Sequence, residues 1–205
     1  MTISTGNFFM HDVAFMYLKT KKHKKWSDIK LCELGNQAVA LSGFTFKPRP
    51  TGKDILSSRG VEHVSIDLNG LDGALVLDLS KPIPNLANQF DIVTNYGTTE
   101  HVYDQYAVFK NIHDFTKVGG VMVHSLPMKG YWRGHSPYLY AKKFPNILAV
   151  ANDYKLILAE VQPRGRNFLL NCILRKENNN PFQKKNTFGD GVIKTKQFKK
   201  NTDNL

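Results

Sequence analysis

The chain has 205 residues, 41% of them hydrophobic, with 28 Lys and Arg against 17 Asp and Glu for a net charge of +11. That length is enough for one domain with a substantial core. No apolar run approaches the roughly 18 residues of a membrane helix, and the N-terminus lacks the charged-then-apolar order of a secretory signal. The expectation is therefore one cytoplasmic α/β domain with no membrane contact. Cys32 and Cys172 lie in apolar runs without a zinc spacing, so both are expected to be reduced and buried. Charge is unevenly placed, with +4 over residues 1–30, +7 over 163–205 and zero over 31–162. Basic ends read either as salt-sensitive nucleic-acid contacts or as solvated tails, and the scarce apolar periodicity from Asn178 onward favours tails.

In chain order, Phe9, Val13, Met16 and Tyr17 form an apolar stripe that predicts a helix over about 7–18, widened by Phe8 and Phe15. Lys30 to Gly35 reads as a short strand with Glu33 and Gly35 at its C-terminal end. A long loop follows to about Thr51, broken by Pro48 and Pro50, and it reads equally as a lid or as a surface insertion. A short helix over 53–58 leads to a second strand, Val61 to Asp67, and Gly73 to Ser80 reads as a third acidic strand end carrying Asp78. Phe90 to Tyr96 predicts a buried parallel strand that breaks into small polar residues, among which Thr98 or Thr99 can cap a helix. That helix, about 102–116, aligns Val102, Tyr106, Phe109, Ile112 and Phe115 on one face, and Gly119-Gly120 ends it before the run Val121 to Ser125. Strand, helix, glycine turn and strand make a right-handed crossover, and ligands in such sheets sit beyond the carboxyl ends of the strands. Tyr154 to Val161 and Asn167 to Leu174 predict a hairpin joined by Gln162 to Arg166.

Phe90-Asp91-Ile92-Val93, Glu100-His101-Val102, Gly119-Gly120 and Met122-Val123, in that order and spacing, resemble the second half of the class I, Rossmann-like S-adenosylmethionine-dependent methyltransferases. The resemblance spans roughly residues 28–176. It implies an α/β three-layer sandwich with a mostly parallel seven-stranded sheet and a C-terminal antiparallel hairpin. Residues 1–27 would be an N-terminal helix and basic segment, and 177–205 a basic, flexible tail. It also implies S-adenosylmethionine as cofactor. Glu33 and Gly35 would face its methionine end, Asp67 the ribose hydroxyls, and Asp78 with Leu79 the adenine, with Asn36, Leu68, Asn95 and Gly97 as further cofactor contacts. The chain departs from the family in three places. The loop after the first strand has one glycine, Asp67 follows Gly35 by 32 positions instead of roughly 20, and Asn95-Tyr96-Gly97-Thr98 replaces the Asn/Asp-Pro-Pro-aromatic motif of base-modifying members.

The acceptor is expected near the segment from His124 to Phe144, which is dense in aromatic and titratable groups. Tyr131, Trp132, Arg133 and Tyr138 are the candidate substrate contacts. His101, His135 and His124 are the candidate general bases, in that a neutral imidazole can take a proton from a hydroxyl acceptor. In some relatives, among them small-RNA 2′-O-methyltransferases and certain quinone O-methyltransferases, a Glu-His pair at this position binds a divalent metal. Glu100 and His101 match that pair alone, which is short of a ligand set, so no metal is expected. The function expected is methyl transfer to an oxygen or nitrogen acceptor, a small molecule. The readings kept open beside it are an RNA methyltransferase using the basic flanks and a non-catalytic cofactor-binding relative.

Overall fold

The structure is a computed structural model, and it describes residues 2–40, 43, 45, 47–184 and 188–195. In chain order the elements are β1 (Thr2–Ser4), α1 (Thr5–Lys22), β2 (Lys30–Leu34), β3 (Ala38–Ala40), α2 (Gly52–Ser58), β4 (Glu62–Ile66) and β5 (Phe90–Tyr96). They continue with α3 (Gln105–Phe115), β6 (Thr116–Pro127), β7 (Tyr138–Tyr140), α4 (Phe144–Ala151), β8 (Lys155–Arg164), β9 (Asn167–Arg175) and β10 (Val192–Lys194).

The main sheet has six strands in the order β4-β2-β5-β6-β9-β8. The first four run parallel, and β9 and β8 add an antiparallel hairpin at the far side. Both faces are covered, as a parallel sheet requires. Leu31, Ile92, Val121, Val123 and Ile173 pack under Met10, Ala14 and Leu18 of α1, with Leu56 of α2 in the same cluster. Their alternating neighbours Cys32, Val93, Met122, Cys172 and Leu174 pack on the other face against Val108, Phe109 and Ile112 of α3 and Leu148 of α4. This period of two along each strand builds the three layers. Both cysteines are buried and free. No helix among the described residues is long and apolar enough to cross a membrane.

Several sequence expectations are corrected. The seventh strand expected over 73–80 is reduced to one parallel bridge, Ile66 to Leu75, preceded by a 3-10 turn at Leu71–Gly73. Left-handed backbone at Gly70, Asp72 and Gly73 turns the chain before it can extend alongside β4. The first helix is four residues longer at its C-terminal end than its stripe, and His23 caps it in a left-handed conformation. The hairpin loop shrinks to Gly165-Arg166, because Gln162, Pro163 and Arg164 still pair with β9. Of the loop before Thr51, residues 38–40 pair with β1, while 41, 42, 44 and 46 lie outside the described residues.

The end of the chain also differs from the expected flexible tail. Phe182 and Phe188 are buried beside Phe109, and β10 pairs antiparallel with β7. Single aromatics spaced six apart carry no helical or strand period, so this packing left no periodic signal in the sequence. Residues 185–187 and 196–205 lie outside the described residues.

Candidate functional site

The strand order reverses between β2 and β5, and a cleft opens beyond their carboxyl ends. Its volume is about 680 Å³, and Gly35, Asp67, Asp78, Leu79, Gly97 and His101 are among its lining residues. These come from the ends of β2, β4 and β5, the reduced third strand and the turn before α3, so the fold gathers residues far apart in sequence. Gly35 has φ +88°, and a Cβ there would strike the side chains of Gln37 and Thr98, so the first loop needs glycine at this position.

Asp67 is held at the floor of the cleft. One carboxylate oxygen accepts from the Asn36 backbone N–H (2.8 Å) and the other from the Asn69 N–H (3.0 Å). Each oxygen retains a lone pair for a ligand hydroxyl. Asp78 is exposed, and Oδ1 accepts from the Ser80 N–H at 2.8 Å. Hydrogen bonds from the Ser80 side chain and backbone lower its pKa. Leu68 is 70% exposed and forms an apolar lip on the cleft.

Other expected residues lie elsewhere. Glu33 is buried behind Gly35 instead of lining the cleft, 3.3 Å from His63 Nε2, and burial raises its pKa. Asn36 contributes its backbone N–H, and its side chain is tied to Leu71 and Asp72. Asn95 is fully buried: its carboxamide oxygen accepts from the Thr98 and Thr99 N–H groups and its Nδ2 donates to Thr99 Oγ1. It shapes the turn that carries Gly97 without reaching the cleft. Gln37, Thr98, Val102 and Tyr103 line the cleft and were not anticipated. Their adjacency to Gly35, Gly97 and His101 was the available signal.

The 3-10 turn Thr99–His101 is fixed from below. Tyr140 places its hydroxyl 2.9 Å from Thr99 Oγ1 and 2.8 Å from Gln105 Oε1, and Gln105 Nε2 donates to the Thr99 and Val102 carbonyls. His101 therefore stands at the cleft mouth, with its pKa lowered by burial against the opposing pull of Glu100. His135 reaches the same place from the segment after β6. The two rings lie 5.2 Å apart, nearly perpendicular, with Glu100 Oε1 3.9 Å from His101 Nε2 and 3.6 Å from His135 Nε2. Glu100 is fully buried, and neither of its oxygens has a hydrogen-bond partner among the described residues. One ligand atom from each of Glu100, His101 and His135 lies within 4.8 Å of the others, a donor set that suits a divalent cation. His124 is not part of this group. It is buried in the core beside Phe109, 3.2 Å from Asn95 Nδ2, with its pKa driven down to about 3 by burial.

Tyr131, Trp132, Arg133 and His135 line a separate cavity of about 480 Å³, together with Arg166 and Asn167 of the hairpin turn. Tyr138 instead lines a third cavity with Tyr103, whose carbonyl accepts its hydroxyl at 2.9 Å.

No family model and no curated protein matches the sequence. Solved structures do match. The 1,6-didemethyltoxoflavin-N1-methyltransferase of Burkholderia thailandensis, with bound 1,6-didemethyltoxoflavin and S-adenosylhomocysteine, superposes with a TM-score of 0.55 at 12% identity, over 82% of this chain and 78% of that one. The N-methyltransferase NodS of Bradyrhizobium japonicum, in complex with S-adenosylhomocysteine, gives 0.54 at 14% identity, over 82% and 87%. A SAM-dependent methyltransferase of Methanosarcina mazei gives 0.53 at 12%, over 75% and 94%. The strand order, the cleft at its switch point and these superpositions together show that the chain has the class I, Rossmann-like methyltransferase fold.

Proposed function

We propose that the protein is an S-adenosylmethionine-dependent methyltransferase that acts on an oxygen or nitrogen atom of a small molecule. The observation that carries this reading is the convergence of Gly35, Asp67, Asp78, Leu79 and Gly97 on one cleft at the switch point of the sheet. Bound there, the cofactor supplies an activated methyl group. Asp67 would accept hydrogen bonds from the two ribose hydroxyls, Asp78 and Leu79 would receive the adenine, and the backbone at Gly35 would let the methionine end approach closely. Most of the rate gain in such a displacement comes from holding donor and acceptor in line. His101, at the mouth of the cleft with its pKa lowered by burial, is the group placed to take a proton from a hydroxyl acceptor.

A divalent cation fits Glu100, His101 and His135, since the buried Glu100 oxygens have no other partner. Bound, it would polarise an acceptor oxygen, and His101 would then serve as a ligand in place of its role as base. Dialysis against chelator followed by Mg²⁺ or Mn²⁺ titration checks this: saturable binding lost in Glu100→Ala supports it, and no binding by the unsubstituted protein removes the cation from the account.

The small-molecule reading is favoured over RNA by the position of the N-terminal basic segment. Lys24 pairs with Asp91 at the start of β5, beside Lys30 and Lys117, at the amino ends of the parallel strands. The cleft lies at their carboxyl ends, across the sheet. Titration calorimetry with S-adenosylmethionine and S-adenosylhomocysteine tests the proposal. Binding at about 1:1 stoichiometry is expected, and no heat with either compound would refute it.

A further inference from the structure

The cavity beside the cofactor cleft carries an unbalanced charge. Its lining residues include two guanidinium groups, Arg133 and Arg166, and no carboxylate. Both arginines are exposed, and neither has a hydrogen bond or ion pair among the described residues. By contrast, Lys24 and Lys117 hold Asp91, Lys143 holds Asp190, and Arg175 holds Glu177.

The wall between the two arginines is built rigidly. Trp132 has φ +56°, a left-handed conformation that a bulky residue adopts only under constraint from its surroundings. Two hydrogen bonds to the start of β9 impose it: the Trp132 N–H donates to Asn167 Oδ1 at 3.0 Å, and its indole Nε1–H donates to the Phe168 carbonyl at 2.6 Å. The Tyr131 ring packs on Phe168 with centroids 4.6 Å apart, and the Trp132 ring lies 5.1 Å from that of His135. Arg133 thus leaves a pinned aromatic corner, and Arg166 faces the same cavity from the two-residue hairpin turn. His135 is shared: it lines this cavity and approaches Glu100 and His101 at the cofactor cleft.

We infer that this cavity binds the methyl acceptor and that the acceptor is a small planar molecule bearing a carboxylate or phosphate, which Arg133 and Arg166 hold. A planar guanidinium fork matches either anion in bidentate fashion, and an anion between two like charges relieves their repulsion. Tyr131 and Trp132 offer apolar surface to the body of the molecule, and a cavity of about 480 Å³ is of small-ligand size. Held this way, the acceptor directs its reacting atom past His135 toward the cofactor. The inference rests on the methyltransferase reading for what happens to the bound molecule, but the binding itself does not.

Calorimetry on the full chain tests it with phenyl phosphate, benzoate and phenol as probes, each with and without S-adenosylhomocysteine. At least one anionic probe is expected to bind ten-fold or more tightly than phenol, and the tighter of the two tells phosphate from carboxylate. Arg133→Gln with Arg166→Gln is expected to lose at least ten-fold of that affinity while S-adenosylhomocysteine binds as before. Anionic probes binding no better than phenol, or unchanged in the double variant, would overturn the inference. Failure of S-adenosylhomocysteine to bind the unsubstituted protein would refute the methyltransferase reading separately and leave the anion result to stand or fall by itself.

Discussion

In the proposed function, Asp67 is the residue on which cofactor selection turns. Its two oxygens are aimed by the amides of Asn36 and Asn69 before any ligand arrives, so little reorganisation accompanies binding. Hydrogen bonds to a charged group contribute about 1.5–3 kcal/mol each. With two such bonds lost, Asp67→Ala is accordingly expected to weaken S-adenosylhomocysteine binding by about 100-fold or more. Calorimetry reads this directly, with circular dichroism to confirm that the variant stays folded. Unchanged affinity would remove Asp67 from the cofactor site. The buried histidines make a second prediction at this scale. His11 and His124 have pKa values driven down to about 3 by burial, with His63 and Arg59 adding to the effect at His11. The unfolded chain therefore takes up protons first, near pH 6.5, and stability falls as pH drops from there toward 3. At pH 5 the loss is about 2 kcal/mol for each of the two. Urea unfolding at pH 7.5 and pH 5 should show this loss, added to that from His113, whose pKa burial lowers to about 4, and His124→Gln should remove about 2 kcal/mol of the total. An identical pH dependence in the variant would contradict the assignment.

Among the elements, the turns after β2 and β5 supply much of the cleft lining. Thr98 Oγ1 donates to the Leu34 carbonyl at 2.7 Å and so ties one turn to the other, with Gly35 and Gln37 between them. Gly35→Ala would impose a side chain at φ +88° and press it against Thr98 and Gln37. The expected result is a loss of about 2 kcal/mol in stability with a ten-fold or greater fall in S-adenosylhomocysteine affinity. A variant that melts and binds like the parent would show that the loop has room to move. The same turns explain what the sequence disclosed and what it hid. β5 and α3 were readable because Ile92 and Val93, and then Val108, Phe109 and Ile112, repeat with the periods of their elements. Asp67, Asp78, Gly35 and Gly97 were readable because each ends or follows a recognisable apolar run. Glu33 was not, because a strand end has two faces, and only its buried contact with His63 of the neighbouring β4 shows that this side chain is not among those lining the cleft. His135 could be named from the sequence but not placed beside Glu100, since that meeting depends on how the segment after β6 folds back over the turn before α3.

For the molecule as a whole, the described end of the chain completes the domain. Phe188 packs edge-on against Phe109 and Phe144, at 5.5 and 5.7 Å between centroids, and β10 adds a strand to β7, whose Tyr140 supports the Thr99 turn. Stability and site geometry are thereby linked through one aromatic cluster. Phe188→Ala should cost about 3 kcal/mol in urea unfolding. A cost near zero would mean that these residues lie on the core without contributing to it. On the opposite side, Lys24 and Lys117 converge on Asp91, which is 4% exposed and has its pKa lowered by these partners against the effect of burial. Lys24 of the basic N-terminal segment is thus engaged in holding the amino ends of the strands.

The central claim is that one cleft, at the carboxyl ends of β2, β4 and β5, holds a nucleoside-containing methyl donor. A crystal structure of the full chain with S-adenosylhomocysteine tests it most directly. The ribose hydroxyls should lie within hydrogen-bond distance of the Asp67 carboxylate, the adenine beside Asp78 and Leu79, and the sulfur on the side of His101. Ligand bound at another surface, or an empty cleft at saturating concentration, would contradict the account.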